Sequence, residues 1–126
     1  MKITLTLPHT VIEPPDYLAQ AKSVISAETQ DNVVNLVASD PKCGILISGT
    51  GGVRKSRIAN KTGKGKSGGA RVVYFFHNST IPVVLMSVFD KGEKDNLTKA
   101  EKNGLRKLTR ELTAELSLNN QRKPRK

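Results

Sequence analysis

A dense run of positive charge lies in the middle of the chain. The eighteen residues from Arg54 to Arg71 include no acidic residue. Their seven basic side chains are those of Arg54, Lys55, Arg57, Lys61, Lys64, Lys66 and Arg71. Surfaces that serve only solubility mix charges of both signs, so we interpret this run as a surface for a polyanion. The alternative is an ordinary solvated surface that binds nothing. We favour a binding surface, and RNA is the polyanion that we expect it to bind.

A cluster of lysines and arginines could also cut RNA. The ribose 2′-OH is an internal nucleophile for the adjacent phosphate, so a protein need supply only geometry, a proton acceptor and positive charge on the transition state. A lysine crowded by other cations can act as the base, because the crowding lowers its pKa. The alternative is a module that uses the same side chains only to bind the RNA backbone.

Other chemistries find little support. His9 and His77 are the only histidines and Cys43 is the only cysteine, too few for a zinc site of four Cys or His ligands. We interpret the histidines as turn residues and Cys43 as an inert, partly buried thiol. The segment 65–67, Gly-Lys-Ser, does not complete a phosphate-binding loop, because Asn60 stands where its first glycine belongs. We expect no metal and no cofactor.

The composition indicates one domain. The chain has 126 residues and a net charge of +10, divided into −2 for residues 1–50 and +12 for residues 51–126. We expect a single domain over residues 1–120 and a disordered basic tail over 121–126. No segment approaches the roughly 20 apolar residues of a membrane span, and no long apolar run follows Lys2. We therefore expect a cytoplasmic protein without a membrane partner.

The cations must be placed by regular elements, beginning with a strand and two helices. Alternation over Ile3–Leu7 predicts the strand. The segment 14–16, Pro-Pro-Asp, predicts the start of the first helix. Thr29 or Asp31 is expected to cap the second helix, and Pro41 to end it. The glycine-rich stretch from Pro41 to Gly52 predicts turns.

Three strands and a helix follow. Val53–Ala59 and Arg71–Phe76 predict a hairpin around a glycine-rich loop, and Ile81–Phe89 predicts a buried central strand. Thr98–Glu101 forms a capping box, which predicts the start of a closing helix. The apolar face of this helix is predicted to consist of Leu105, Leu108, Leu112 and Leu116. The predicted order is β-α-α-β-β-β-α.

Alternation within the hairpin groups the cations. Lys55 and Arg57 are predicted to share one face of their strand, with Arg54 on the opposite face. Arg71, Val73 and Phe75 are predicted to share one face of the returning strand.

Three segments carry a family resemblance. They are GTGGVRKSR at 49–57, GKGKSGGARVVY at 63–74 and KGEKDNLT at 91–98. In order and spacing they resemble the RelE/HigB family of bacterial toxins, and most closely its HigB-like branch. The resemblance implies an α+β fold with two N-terminal helices packed on a small twisted antiparallel sheet. It also implies the toxin of a type II toxin–antitoxin system.

The resemblance further implies an activity and partners. Toxins of this kind are endoribonucleases that cut translated mRNA in the ribosomal A site without a metal, and so inhibit translation and growth. The implied partners are the ribosome, the mRNA and a cognate antitoxin from a neighbouring gene. That antitoxin usually has a helix-turn-helix domain, and only through it would the toxin reach operator DNA.

Residue roles follow from the matched positions. Lys55 and Arg57 are the implied cations that approach the ribose and the scissile phosphate, and Lys55 is the better candidate for the base. Arg71 is implied to hold that phosphate and stabilise its transition state, and Lys91 to supply a further positive group. The implied RNA-binding residues are Arg54, Lys61, Lys64, Lys66, Tyr74, Phe89 and Lys94.

Two positions depart from the family pattern. The family often has tyrosine where this chain has Phe89, and a polar or basic residue where it has Gly92. The general acid therefore stays unassigned among Lys91, Glu93 and the closing helix. These departures also leave open a degenerate toxin that retains only antitoxin binding.

Overall fold

A computed structural model describes residues 9–59, 69–90 and 98–121, with side chains up to Ser117. It confirms the predicted α+β class. The elements in chain order are β1 (Val11–Ile12), α1 (Pro15–Val24), α2 (Ala27–Ser39), β2 (Ile45–Leu46), β3 (Val53–Ile58), β4 (Ala70–Phe75), β5 (Val83–Asp90) and α3 (Lys99–Gln121). Within the described residues, no helix combines the length and the apolar character that crossing a membrane requires.

The described strands form one five-stranded sheet in the order β1-β5-β4-β3-β2. The predicted meander of β3, β4 and β5 is confirmed, since both of its pairings are antiparallel. The expectation of a wholly antiparallel sheet was wrong, because β1 lies parallel to β5, with Val11 beside Val83. The stretch predicted only as turns also contains β2, whose two apolar residues pair with β3. The strand predicted at Ile3–Leu7 lies outside the described residues.

The first two helices begin at recognisable signals. Pro15 occupies the first turn of α1, as predicted, with Asp16 beside it. The cap predicted for α2 was wrong: the cap is Ser26, whose Oγ accepts a hydrogen bond from the Thr29 N–H at 3.1 Å. Thr29 is instead fully buried within the first turn. The helix ends at Ser39, just before Pro41, as expected.

One face of the sheet forms the main core under α1 and α2. Its fully or almost fully buried residues include Tyr17, Ala21, Val33 and Val37 from the helices and Val72, Tyr74, Leu85 and Val88 from the strands. The side chain of Gln20 reaches the outer edge of β5, where its Oε1 accepts the Val88 N–H at 2.9 Å. Because α1 and α2 cover this face, side chains on the other face meet α3 or solvent.

The closing helix α3 starts at the predicted capping box. The Thr98 N–H donates to Glu101 Oε1 at 2.9 Å, and the Glu101 N–H donates to Thr98 Oγ1 at 3.1 Å. Further along, Thr109 Oγ1 donates to the Thr50 carbonyl at 2.8 Å. Leu112 and Leu116 pack against a second apolar cluster that contains Phe75. Leu108, one turn before Leu112, stays 41% exposed, so α3 is anchored from Thr109 onward.

Candidate nucleic-acid interface

The β3–β4 hairpin brings three cations to one face of the sheet. Arg57 pairs directly with Arg71, and Lys55 pairs with Val73. Paired side chains on neighbouring strands lie about 4.5–5.5 Å apart at Cβ. Lys55 and Arg57 share this face, as the alternation predicted, and it is the face opposite α1 and α2. Two strands therefore hold Lys55, Arg57 and Arg71 close together in space.

The three cations differ in exposure. Arg57 is exposed, Lys55 is half-buried and Arg71 is only 8% exposed. Arg57 and Arg71 lie directly opposite each other on the two strands, which places two positively charged side chains next to each other. Guanidinium groups suit phosphate geometry because each can donate two parallel hydrogen bonds.

Strand β5 extends this face with two further side chains. Phe89 pairs with Arg71 and Ser87 pairs with Val73. The face thus has two rows across the strands: Arg57, Arg71 and Phe89 in one, and Lys55, Val73 and Ser87 in the other. Phe89 is half-buried beside Arg71, which suits a ring that stacks on a base next to a bound phosphate.

Tyr74 has a different place from the one implied for it. The ring is fully buried in the main core. Its hydroxyl donates to the Pro41 carbonyl at 2.8 Å and accepts the Gly44 N–H at 2.8 Å. Burial raises the pKa of this hydroxyl above the ordinary tyrosine value. A ring without exposed surface cannot stack on a base, so the RNA-binding role of Tyr74 is corrected to a structural one.

Arg54 also lies apart from the other cations. It pairs with Tyr74, on the core-facing side of β3. Its Nη1 donates to the Gly44 carbonyl at 2.8 Å, so the guanidinium is half-buried against the turn that precedes β2. The structure therefore does not bring Arg54 together with Lys55 and Arg57.

Five of the predicted site residues lie outside the described residues: Lys61, Lys64, Lys66, Lys91 and Lys94. The described strand ends show only where the chain leaves the sheet. Ile58 pairs with Ala70, and Ala70 pairs with Asp90. These three strand ends therefore lie at the end of the sheet that carries Arg57 and Arg71.

A groove beside the cations was not anticipated from the sequence. It lies between the sheet and α3, has a volume of about 840 Å³, and we call it the α3 groove. Lys55, Ser87 and Phe89 line it from the sheet, Leu105 lines it from α3, and Asp16 lines it from α1. The sequence feature that could have indicated this groove is Ser87, a polar residue within the apolar run of β5.

The described residues provide no obvious metal centre. Among residues 9–59, 69–90 and 98–121, no three His, Cys, Asp or Glu side chains are grouped so that they could hold a metal ion. Metal independence stays a prediction, as do the assigned roles of Lys55, Arg57 and Arg71.

The comparison with known families follows from this architecture. A family model described as the RelE toxin of the RelE/RelB toxin–antitoxin system matches residues 21–122. The match includes α2, the whole β2–β5 meander and α3. Toxins of this family generally inhibit translation as ribonucleases, and they pair with cognate antitoxins. With most of its length matched, the chain belongs to the RelE family of toxins of toxin–antitoxin systems.

Proposed function

We propose that the protein is a ribosome-dependent endoribonuclease that cuts translated mRNA in the A site and so inhibits translation and growth. The observation that carries the proposal is the grouping of Lys55, Arg57 and Arg71 on one sheet face. Membership of the RelE family supports RNA cleavage in general. The A-site location and the affinity with the HigB-like branch rest on the resemblance of the three sequence segments.

The proposed reaction is an internal transesterification. Lys55 takes the proton of the 2′-OH. The 2′-oxygen then forms a bond to the adjacent phosphorus, and the bond to the 5′-oxygen of the next nucleotide breaks. That 5′-oxygen takes up a proton from water or from the unassigned general acid. Arg71 and Arg57 stabilise the negative charge that grows on the phosphate oxygens. The products are a 2′,3′-cyclic phosphate and a 5′-hydroxyl, formed without a metal. Lys91 is proposed to supply a further positive group.

The half-buried position of Lys55 and the near-complete burial of Arg71 support these roles. Charges that are partly removed from water interact more strongly with a bound phosphate than fully solvated ones. Arg57 is exposed, so it suits initial capture of the phosphate. The loop lysines Lys61, Lys64 and Lys66, together with Lys94, are proposed to contact ribosomal RNA.

The proposed partners are the ribosome, mRNA and a cognate antitoxin. We propose a helix-turn-helix antitoxin encoded by a neighbouring gene, with operator DNA reached only through it, and a cytoplasmic location. A second candidate is a degenerate toxin that binds antitoxin without cutting RNA. Phe89 favours this alternative, because phenylalanine lacks the ionisable hydroxyl of the tyrosine that the family often has there.

Primer extension on mRNA in a purified translation system tests the proposal. The reactions contain wild-type protein, no protein, or wild-type protein with ribosomes left out. New 5′ ends in codon register that require ribosomes are the expected result. Cleavage without ribosomes would contradict the A-site proposal, while intact mRNA with folded protein would favour a non-catalytic RNA-binding module or the degenerate toxin.

A further inference from the structure

The α3 groove differs in character from the cationic face that it adjoins. Its walls are mainly apolar: Met86 comes from β5, and Leu105, Leu108 and Leu112 come from α3. Leu108 is 41% exposed, although it belongs to the apolar stripe of the helix. The groove volume of about 840 Å³ falls within the range of sites that bind small organic groups.

The groove is continuous with the proposed cleavage site. Lys55 belongs to both, since it lies on the cationic face and lines the groove. Ser87 lies two strands away from Lys55 in the same row, at a distance on the order of 10 Å. One nucleotide spans this distance from its phosphate to the polar edge of its base. A strand whose phosphate lies at Lys55 can therefore place one base in the groove.

The chemistry of the groove matches a nucleobase. A base has apolar faces, which the leucines of α3 and Met86 can cover, and a polar edge that needs a hydrogen-bond partner. Ser87 is the only serine or threonine among the described residues that line the groove. A hydroxyl can both donate and accept, so it can pair with a base edge and distinguish one base from another.

We propose that the α3 groove holds the base of a nucleotide adjoining the scissile phosphate, and that Ser87 contributes to nucleotide preference by hydrogen bonding to its edge. The inference rests on the proposed function. An apolar peptide segment is the rival occupant. The base is favoured because Lys55 lies both on the cationic face and in the lining of the groove, and because Ser87 lines the groove as well.

The first test measures codon preference on the ribosome. A panel of mRNAs that differ by one base in the A-site codon is cut by the wild type, by Ser87→Ala and by Ser87→Thr. The cleavage rate at codons with the preferred base, divided by the rate at codons with a disfavoured base, should fall about three- to ten-fold in Ser87→Ala. This is the effect expected from the loss of one uncharged hydrogen bond. Ser87→Thr keeps the hydroxyl and should keep most of the ratio. Cleavage with an unchanged ratio in Ser87→Ala would overturn the inference.

Ser56→Ala is the matched control. Ser56 is also a half-buried serine within a strand, but it points to the opposite face of the sheet, where its partner is Val72. Its replacement should leave the ratio between bases unchanged. An equal fall of the ratio in Ser56→Ala would show a general effect on the sheet and would overturn the role of Ser87.

A second measurement does not depend on cleavage. The ¹⁵N-labelled protein is titrated with a 2′-O-methyl trinucleotide, which cannot be cut, and backbone amide shifts are followed by NMR. Shifts at Ser87 and Leu105, reduced in Ser87→Ala, would support a base in the groove even if the wild type cut no mRNA. Shifts confined to the Lys55, Arg57 and Arg71 region would overturn the inference and leave the proposed cleavage site intact.

Discussion

Arg71 combines a charge, a nearly buried position and two neighbours from the predicted site. It lies between Arg57 and Phe89 across the sheet and is 8% exposed. Its position on this face is set by the register of β4 with β3 and β5.

Replacing the central cations should abolish cleavage without unfolding the protein. We expect Lys55→Ala and Arg71→Ala each to lower the rate of mRNA cleavage by about 100-fold or more, the usual effect of removing a group that stabilises transition-state charge. Single-turnover cleavage and thermal unfolding measure the two properties. Lys22→Ala, on α1 at the opposite side of the sheet, is the control and should cut at the wild-type rate. A Lys55→Ala/Arg71→Ala double variant that still cuts normally would contradict the assigned roles.

Removal of the hydroxyl should lower the stability of the protein at Tyr74 but not at Tyr17. Tyr74→Phe leaves the Gly44 N–H and the Pro41 carbonyl without this partner in a buried place, which should cost about 1–3 kcal/mol. The Tyr17 hydroxyl is buried with no hydrogen-bond partner among the described residues, so Tyr17→Phe should be neutral or stabilising. Urea unfolding at pH 7 compares the variants, and a larger loss in Tyr17→Phe would contradict the assignment.

Tyr17 should also make stability depend on alkaline pH. Burial, reinforced by the negative charge of Glu13, raises the pKa of Tyr17 to about 12. Between pH 10 and 12 the unfolded tyrosine loses a proton that the folded one keeps, so the free energy of unfolding falls as pH rises. Tyr17→Phe lacks this effect. The free energy of unfolding of Tyr17→Phe, measured in urea, should therefore rise relative to that of the wild type by roughly 1 kcal/mol between pH 8 and 11. A difference between the two proteins that stays constant with pH would contradict the pKa shift.

Among the elements, α3 is attached most specifically at Thr109. This side chain is 2% exposed, and its hydroxyl donates to the Thr50 carbonyl at 2.8 Å. Gly51, next to Thr50, has a φ of 83°, and a Cβ there would lie 2.5 Å from Thr109 Oγ1. A side chain at position 51 would therefore push the helix away.

Thr109→Val should loosen α3 while leaving the core intact. Valine keeps the shape but leaves the Thr50 carbonyl without this donor, at a cost of about 1–2 kcal/mol. The rate of amide hydrogen exchange should rise in α3. It should stay unchanged in β4, which is packed into the main core. Thr113→Val, one turn further along, is the control. Equal exchange in wild type and Thr109→Val would contradict the anchoring role of Thr109.

The register shift between β4 and β5 decides which side chains of β5 face the groove. Leu85 pairs with Tyr74 on the core side, whereas Ser87 pairs with Val73 on the cationic side. Simple alternation would put Leu85 and Ser87 on the same face. The irregularity thus allows β5 to fill the core and also to present Ser87 and Phe89 beside Arg71.

For the molecule as a whole, the uneven charge predicts strong dependence of RNA binding on salt. The net charge of +10 arises entirely from residues 51–126. We expect the cationic face to neutralise at least three phosphates of a bound 2′-O-methyl oligonucleotide. A plot of the logarithm of the binding constant against the logarithm of the salt concentration should then have a slope of about −2 or steeper. Arg57→Ala should reduce the slope by about 0.7. Fluorescence anisotropy measures it, and affinity independent of salt would contradict an electrostatic surface.

Much of the fold follows from local patterns. The capping box at Thr98 and Glu101, Pro15 in the first turn of α1 and the alternation of β3 and β4 each reflect contacts within a few residues. These signals place Lys55 and Arg57 on one face of a hairpin. The cap of α2 was missed because Ser26, Thr29 and Asp31 are all acceptable caps by residue type, and packing of Thr29 into the core chose among them.

The sequence by itself determined the α+β class, the basic hairpin and the family, because these depend on short periodic patterns and on three contiguous segments. Only the tertiary structure decided that Tyr74 is a core residue, that Arg54 lies apart from Lys55, and that Ser87 lines a groove under α3. The physical reason is that burial and strand register depend on partners distant in the chain. Pro41 and Gly44 bind the Tyr74 hydroxyl, and an irregular pairing turns Ser87 toward the cations.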